Sequence, residues 1–194
     1  DALSKSNKAG NIGFIIIILF LLLVYRIAGV AASLALVVFV ELEMLTLNAF
    51  DLTLSLPGIA GIILGIGMAV DANVIINARI REEIAAGKTV KSAITIGFDK
   101  AKSAIVDGNI TTLIAALVLL WRGSGTVQGF AQTLAISIVF QLFTSLFVSK
   151  WFVWILYYLG FQGEKFYGKE KTRKAIHFLK KRVVFFALSI IVII

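Results

Sequence analysis

The chain has 194 residues, of which 59% are hydrophobic and only 15% are charged, and its mean hydropathy is +0.96. Ordinary soluble domains contain about 25% charged residues, so this composition argues against a soluble enzyme or a nucleic-acid-binding domain. The chain has no cysteine and a single histidine, His177, which excludes disulfides, cysteine metal sites and histidine clusters. We therefore expect an integral membrane protein, whose net charge of +8 indicates orientation and not a nucleic-acid partner.

Five apolar runs approach the length of about 20 residues that a helix needs to cross a bilayer. They are residues 12–25 (extended by 8–10), 30–47, 56–76, 103–121 and 129–148. A sixth run begins at Val183 and continues to the last residue, Ile194. The sequence predicts an all-α membrane protein with five transmembrane helices and the start of a sixth, and we expect the chain to be part of a longer protein.

The basic residues predict which side of the membrane each loop occupies. If the N-terminus lies outside, only Lys5, Lys8 and Arg122 of the 19 basic residues lie on outer segments. The other basic residues then lie on inner segments, as the positive-inside rule requires. We therefore expect an external N-terminus and a basic cytoplasmic linker at residues 162–182.

The inner segment between the third and fourth predicted spans, residues 77–102, has structure of its own. Gly87 is expected to end one helix and Thr89 to cap the next. Apolar side chains then repeat at helical spacing between lysines, which favours an amphipathic helix at the inner membrane surface over a plain charged loop. These apolar residues are Val90, Ala93, Ile94 and Phe98.

Three other features are expected at the membrane surfaces. The aromatic tract at residues 151–158 suits the inner headgroup zone, and Lys150 beside it is expected to extend its ammonium group to the inner surface. Glu41 and Glu43 lie toward the outer end of the second predicted span. They either gather cations at an outer entrance or, as we expect, are exposed at the interface.

Asp71 is the main functional candidate because it lies well inside the third predicted span. An ionisable residue inside a membrane is costly and is a functional candidate for that reason. No basic residue of the chain lies at a comparable depth, so desolvation favours the protonated carboxyl. A carboxyl that changes between two states suits a proton- or cation-coupled machine. The alternative is a protonated aspartate that only bonds two helices together.

Glycines near Asp71 predict close helix packing. Gly61 and Gly65 have the spacing of a small-xxx-small motif, and Gly67 follows them. Helical phase places Gly67 near the face of Asp71, where it leaves room for a neighbour, and places Gly61 and Gly65 on another side. Asn73 points almost opposite to Asp71, and we expect it to bond another helix.

A second polar group lies nearer the inner surface, where Asp107 and Asn109 repeat the Asp-x-Asn pattern. A solvated or capping role and a place on an ion path both remain open for Asp107. Thr111 and Thr112 follow, and their hydroxyls are expected to bond back to their own helix. These four residues, together with Asn73, are candidates for an ion path or for helix packing.

Several long segments resemble one known family, the SecD protein-export membrane subunits. Residues 67–76 (GMAVDANVII) and 79–83 (RIREE) resemble the hallmark of this family, which works with SecF and belongs to the resistance-nodulation-division superfamily. The resemblance continues through residues 54–61, 107–117 and 125–134, and it covers roughly residues 8–161. Several motifs in the right order make the resemblance specific.

The resemblance implies that residues 1–161 are transmembrane helices two to six of a SecD-like half. The segment that begins at His177 resembles the start of a SecF half, which implies a fused SecDF with residues 183–194 as the start of the first SecF helix. The resemblance also implies that Asp71 is the ion-relay carboxylate and that its charged partners come from the SecF half. The implied partners are the SecF half, the Sec channel, the translocating preprotein and the lipid bilayer.

We expect a non-enzymatic subunit of the bacterial cytoplasmic membrane that uses an ion gradient to promote protein export. The coupling ion is H⁺ or Na⁺, since a carboxylate serves both, and no other cofactor or metal is expected. Two alternatives remain open: a small-molecule or lipid exporter of the same superfamily, and a passive scaffold of the Sec channel.

Overall fold

The computed structural model describes residues 2–49 and 56–168, and this part of the chain is helical without any strand. Its elements are α1 (Ala2–Ala49), α2 (Leu56–Ala85), α3 (Val90–Arg122), α4 (Thr126–Phe143), a π-helical segment (Thr144–Val148), α5 (Ser149–Tyr158) and α6 (Glu164–Tyr167). Four helical segments are long and apolar enough to cross a membrane: Ile12–Ala49, Leu56–Ala85, Val90–Arg122 and Thr126–Tyr158. The predicted all-α membrane fold is confirmed.

The first of these segments contains two helical arms, because α1 is interrupted at Arg26. Arg26 has φ 53° and ψ −120°, and it is the one non-glycine residue with positive φ in the described ranges. Beside this break, a Cβ atom on Gly29 would collide with the carbonyl of Leu21, so only glycine fits there. Phe14 of the first arm and Phe39 of the second arm meet in one apolar cluster. The two arms therefore lie side by side and supply the first two predicted spans.

Helix α2 lies at the centre of the described fold and contacts α1, α3, α4 and α6. Its buried residues include three glycines and several apolar side chains, which pack against all of these neighbours. Helix α3 is the most exposed of the spans: only 11% of its most apolar stretch is buried, against 39% for α2. A long apolar helix with so little protein around it presents its surface to lipid or to another protein.

The segment at residues 77–102 is a packed helical corner. Helix α2 continues to Ala85, Gly87 adopts φ +85°, and the hydroxyl of Thr89 accepts a hydrogen bond from the Ser92 N–H at 3.4 Å. The predicted break and cap are confirmed. Helix α3 then continues to Arg122 without interruption.

The predicted amphipathic helix is present, but its apolar face has a different environment from the one predicted. The face is packed against protein: Val90, Ala93, Ile94 and Phe98 are all buried in the main core. The cause is close packing against α2, since a Cβ atom on Gly97 would come within 2.6 Å of Cγ1 of Ile80. The period that suggested a lipid-facing stripe is therefore the period of a helix–helix contact.

The aromatic tract forms α5, where the ring centroids of Trp154 and Tyr158 lie 5.8 Å apart. Lys150, just before the tract, contacts α3. Its Nζ is 3.9 Å from Oδ1 of Asp99 and 5.7 Å from the centroid of the Phe98 ring. Residues 162–168 of the predicted linker belong to the described part and include α6. The predicted sixth run at residues 183–194 and the rest of the linker lie outside the described residues.

Candidate ion-relay site

Asp71 lies in the middle of α2, and its side chain is exposed. The next two residues, Ala72 and Asn73, are buried, so the carboxylate of Asp71 points away from the other helices. Within residues 2–49 and 56–168, no hydrogen bond or ion pair to Asp71 is present. The structure therefore places an ionisable side chain on the exposed face of a helix that is long and apolar enough to cross a membrane, with no counter-charge from the described part of the chain.

The face of α2 around Asp71 is open. Leu64, Gly67 and Asp71 are all exposed, and a Cβ atom on Gly67 would meet nothing within 4 Å. The prediction that Gly67 leaves room near Asp71 agrees with this geometry. No helix within residues 2–49 and 56–168 covers this face, so the packing role of Gly67 stays a prediction.

Gly61 and Gly65 lie on the opposite, packed side of α2. A Cβ atom on Gly65 would come within 2.5 Å of Cβ of Ser137, and one on Gly61 would collide with the hydroxyl of Thr133. Both contacts are with α4, so these two glycines allow α2 and α4 to approach closely. The predicted packing role of this glycine pair is what the structure shows.

Asn73 is buried, as its phase opposite Asp71 predicted, but its bonding partner differs from the expected one. Its Nδ2 donates to the carbonyl of Ala69 in its own helix at 2.9 Å, and not to another helix. Its Oδ1 is buried without a hydrogen-bond partner. A link between helices comes instead from Gln141 of α4, whose Nε2 donates to the carbonyl of Met68 at 3.4 Å.

The second polar group belongs to α3, and its hydrogen bonds stay within that helix. Asp107 is exposed and accepts a bond from Ser103 at 3.1 Å, while Asn109 donates to the carbonyl of Ile105 at 2.7 Å. The hydroxyls of Thr111 and Thr112 bond the carbonyls one turn earlier, at 3.3 and 3.4 Å. None of these bonds joins the group to Asp71.

Glu43 overturns the expectation of interfacial exposure. Glu41 is exposed, but Glu43 is 0% exposed, and its Oε1 accepts a hydrogen bond from the hydroxyl of Ser137 in α4. Both acids lie near the end of a predicted span, and no sequence pattern indicates that Ser137 of α4 lies beside Glu43. Only the close approach of α1 to α4 beside Gly65 encloses Glu43.

A group of ion pairs and hydrogen bonds joins α1, α2, α3 and α6 at one end of the bundle. Glu83 is nearly buried and accepts from Lys88 and Lys100 at 2.5 and 2.6 Å, which ties α2 to the start of α3. Arg81 donates to the carbonyls of Val24 and of Tyr167, the latter at 3.2 Å. Val24 lies beside the break in α1, where helical carbonyls lose their usual partners.

Tyr167 of α6 is buried at the same end of the bundle. Its side chain is 1% exposed, and its hydroxyl is buried without a hydrogen-bond partner. Burial, and to a smaller extent the neighbouring Tyr157, raises the pKa of Tyr167 to about 12. The phenol therefore stays neutral at physiological pH, and α6 is docked by its apolar ring and by Arg81.

Comparison with known proteins decides the family. Residues 3–150 match the model of the MMPL family. This chain belongs to the MMPL family. Within residues 2–49 and 56–168, no group of three or more His, Cys, Asp or Glu side chains could hold a metal ion.

Two relatives within the family carry the name Protein translocase subunit SecD. The protein from Syntrophobacter fumaroxidans is 51% identical over 150 residues, which are 77% of this chain and 28% of that protein. The protein from Dictyoglomus turgidum is 44% identical over 150 residues, which are 77% of this chain and 38% of that protein. The resemblance to SecD is confirmed.

Solved structures agree with these relatives. SecDF from Thermus thermophilus, described as a translocon-associated membrane protein, matches with a TM-score of 0.85 and 33% identity over 97% of this MMPL chain. SecDF in its super-membrane-facing form matches with a TM-score of 0.81 and 32% identity over 99% of this chain. The chain covers 26% of each of these structures, and 28% and 38% of the two relatives above.

Proposed function

We propose that this chain is the ion-coupled transmembrane part of a bacterial Sec protein-export subunit. The relatives named as translocase subunits and the fit to SecDF support the assignment to export. The observation that carries the ion coupling is the exposed, unpaired carboxylate of Asp71 in the middle of α2. The coupling ion is H⁺ or Na⁺, and no further cofactor is proposed.

A carboxylate on the apolar surface of a membrane helix needs a proton, an ion or a charged neighbour. The open face around Gly67 and Asp71 leaves space for such a neighbour. We assign this place to the SecF half, either fused to this chain or separate. Two half-bundles with Asp71 at their contact could bind an ion and change their packing, which is how an ion gradient would do mechanical work on export.

The remaining partners and the orientation follow from the same assignment. The Sec channel, the translocating preprotein and the lipid bilayer are the other partners. The basic residues at and after Arg79, apart from Arg122, lie on the cytoplasmic side, and the N-terminus of this chain lies outside, by the positive-inside rule. The protein then acts as a mechanical coupler in the cytoplasmic membrane and catalyses no covalent step.

The test places Asp71→Asn in the full-length protein and measures completion of preprotein export in membrane vesicles, with and without an imposed ion gradient. We expect the stimulation of export by the gradient to disappear, because Asn cannot exchange a proton or bind a cation as a carboxylate does. The matched control is Asp99→Asn, an exposed acid near the start of α3 that lies 3.9 Å from Lys150. It should leave the stimulation unchanged.

Expression and assembly with the partner half are checked for both variants. If Asp71→Asn assembles and still shows full stimulation, the ion-coupled function is wrong and a passive scaffold of the Sec channel is the better account. If both variants lose stimulation, the loss is not specific to Asp71, and the assignment of the relay to this residue fails.

A further inference from the structure

Glu43 is a buried acid that the relay at Asp71 does not use. Its side chain is 0% exposed, and its Oε1 accepts a hydrogen bond from Ser137 of α4. Phe39, one turn earlier in α1, would lie 3.3 Å from a Cβ atom on Gly65, and Ser137 lies against the same glycine. The carboxyl of Glu43 is therefore at the junction of α1, α2 and α4.

This junction contains no positive charge in the described part of the chain. Helix α4 has no titratable residue, and α2 has none before Asp71, whose side chain is exposed on the open face. The second arm of α1 contains one other acid, Glu41, which is exposed. Asp107 and Arg122 of α3 have no hydrogen bond or ion pair with Glu43, and no other described charge has one.

The second carboxyl oxygen of Glu43, Oε2, is buried and has no hydrogen-bond partner. An ionised carboxylate in such a place costs several kcal/mol because it loses water and gains no counter-charge. The neutral acid avoids most of this cost. It needs only a small polar partner, and Ser137 is one.

We propose that Glu43 and Ser137 form a proton-binding site, separate from Asp71, in which Glu43 is a neutral carboxylic acid at neutral pH. The hydroxyl of Ser137 suits both states, since a serine hydroxyl donates one bond and accepts others. It donates to the ionised carboxylate. It also accepts from the neutral acid and turns its own proton to a carbonyl of α4, as serines in helices commonly do.

The site links protonation to the packing of three spans. Loss of the proton would leave a bare charge where α1, α2 and α4 are closest. The least costly response is for α1 to move away from α4 and admit water. Within the described residues, Glu43 belongs to no group of three or more His, Cys, Asp or Glu side chains that could hold a metal ion, and a proton needs only the free carboxyl oxygen of Glu43. This proposal is independent of ion coupling at Asp71.

The first test uses the full-length protein in lipid vesicles, labelled with carboxyl-¹³C glutamate and examined by infrared spectroscopy. We expect the isotope-shifted band of a neutral carboxylic acid at neutral pH. The band should vanish in Glu43→Gln and persist in Glu41→Gln, the matched control two residues away. Absence of the band in the unmodified protein, or its survival in Glu43→Gln, would overturn the proposal.

The second test is the midpoint of thermal unfolding in detergent as a function of pH. A group that holds its proton more tightly in the folded protein than in the unfolded chain loses stability as the pH rises, because the folded state then binds more protons. The midpoint of the unmodified protein and of Glu41→Gln should therefore fall as the pH is raised from the ordinary titration range of a glutamate carboxyl through neutral.

Glutamine has the shape of the neutral glutamic acid, so the Glu43→Gln variant should fold. Its unfolding midpoint should fall less with rising pH than that of the unmodified protein, because residue 43 no longer titrates. An equal fall in Glu43→Gln would contradict a proton at this site. A midpoint that rises with added Na⁺ in the unmodified protein but not in Glu43→Gln would also contradict it, since the occupant would then be a cation.

Discussion

At the residue scale, the burial of Asp71 and Glu43 depends on which helices pack against them. The position of Asp71 on an open face could be predicted, because helical phase alone separates it from Gly61 and Gly65. The burial of Glu43 could not be predicted, because it depends on α4, which is distant in sequence. Helical phase favours a bond from Asn73 to another helix, yet the amide of Asn73 donates to the carbonyl of Ala69 in its own helix, a partner that phase does not specify.

The glycine pair gives a prediction at this scale. Gly65→Ala should destabilise the fold by about 1–3 kcal/mol, because the added methyl group meets Cβ of Ser137, which cannot move without α4. Gly67→Ala is the matched control, since its methyl group meets nothing in the described chain. It should be neutral or slightly stabilising, as alanine favours a helix.

The measurement is thermal unfolding of both variants in detergent. If Gly67→Ala lowers the midpoint as much as Gly65→Ala does, the loss comes from glycine replacement in general. The close contact between α2 and α4 would then not be the cause.

At the scale of elements, the sequence predicted where helices lie better than how they join. The cap at Thr89 and the turn at Gly87 have local signals, and both were predicted. The continuity of α3 from Val90 to Arg122 was missed, because a stripe that packs on α2 and a stripe that lies on lipid have the same period. The break at Arg26 lies between the separate apolar runs 12–25 and 30–47, so its place follows from the sequence, but the positive φ of Arg26 does not, since that conformation normally marks a glycine.

Arg81 gives a prediction at this scale, because it joins three elements. Its guanidinium donates to carbonyls of Val24 in α1 and Tyr167 in α6, and it lies 4.6 Å from the centroid of the Tyr25 ring. Arg81→Met should loosen α6, which Arg26 still contacts through the carbonyl of Lys165, and should lower stability by about 1.5–3 kcal/mol for each charged hydrogen bond lost. The measurement is hydrogen exchange at residues 164–168, together with thermal unfolding.

Arg79→Met is the matched control two residues away. Arg79 is half exposed and pairs only with Glu82 in the next turn, a contact that contributes about 0.3–0.5 kcal/mol. Equal exchange at residues 164–168 in the two variants would show that Arg81 does not hold α6.

At the scale of the whole molecule, the described helices are covered to different extents. The junction of α1, α2 and α4 is closely packed and contains glycines, Ser137 and the buried Glu43. Asp71 is exposed on α2, and α3 is largely exposed. Hydropathy predicted the spans, and motifs predicted the family, but neither could show which faces are covered, because that depends on all the helices together.

The central claim is that Asp71 carries the coupling ion. The most direct measurement is ion uptake by sealed proteoliposomes that contain the full-length protein with its partner half, under an imposed gradient of H⁺ or Na⁺. We predict that uptake depends on the protein and falls to the level of empty vesicles in Asp71→Asn, while Asp99→Asn retains it. Equal uptake by Asp71→Asn and the unmodified protein would contradict the claim.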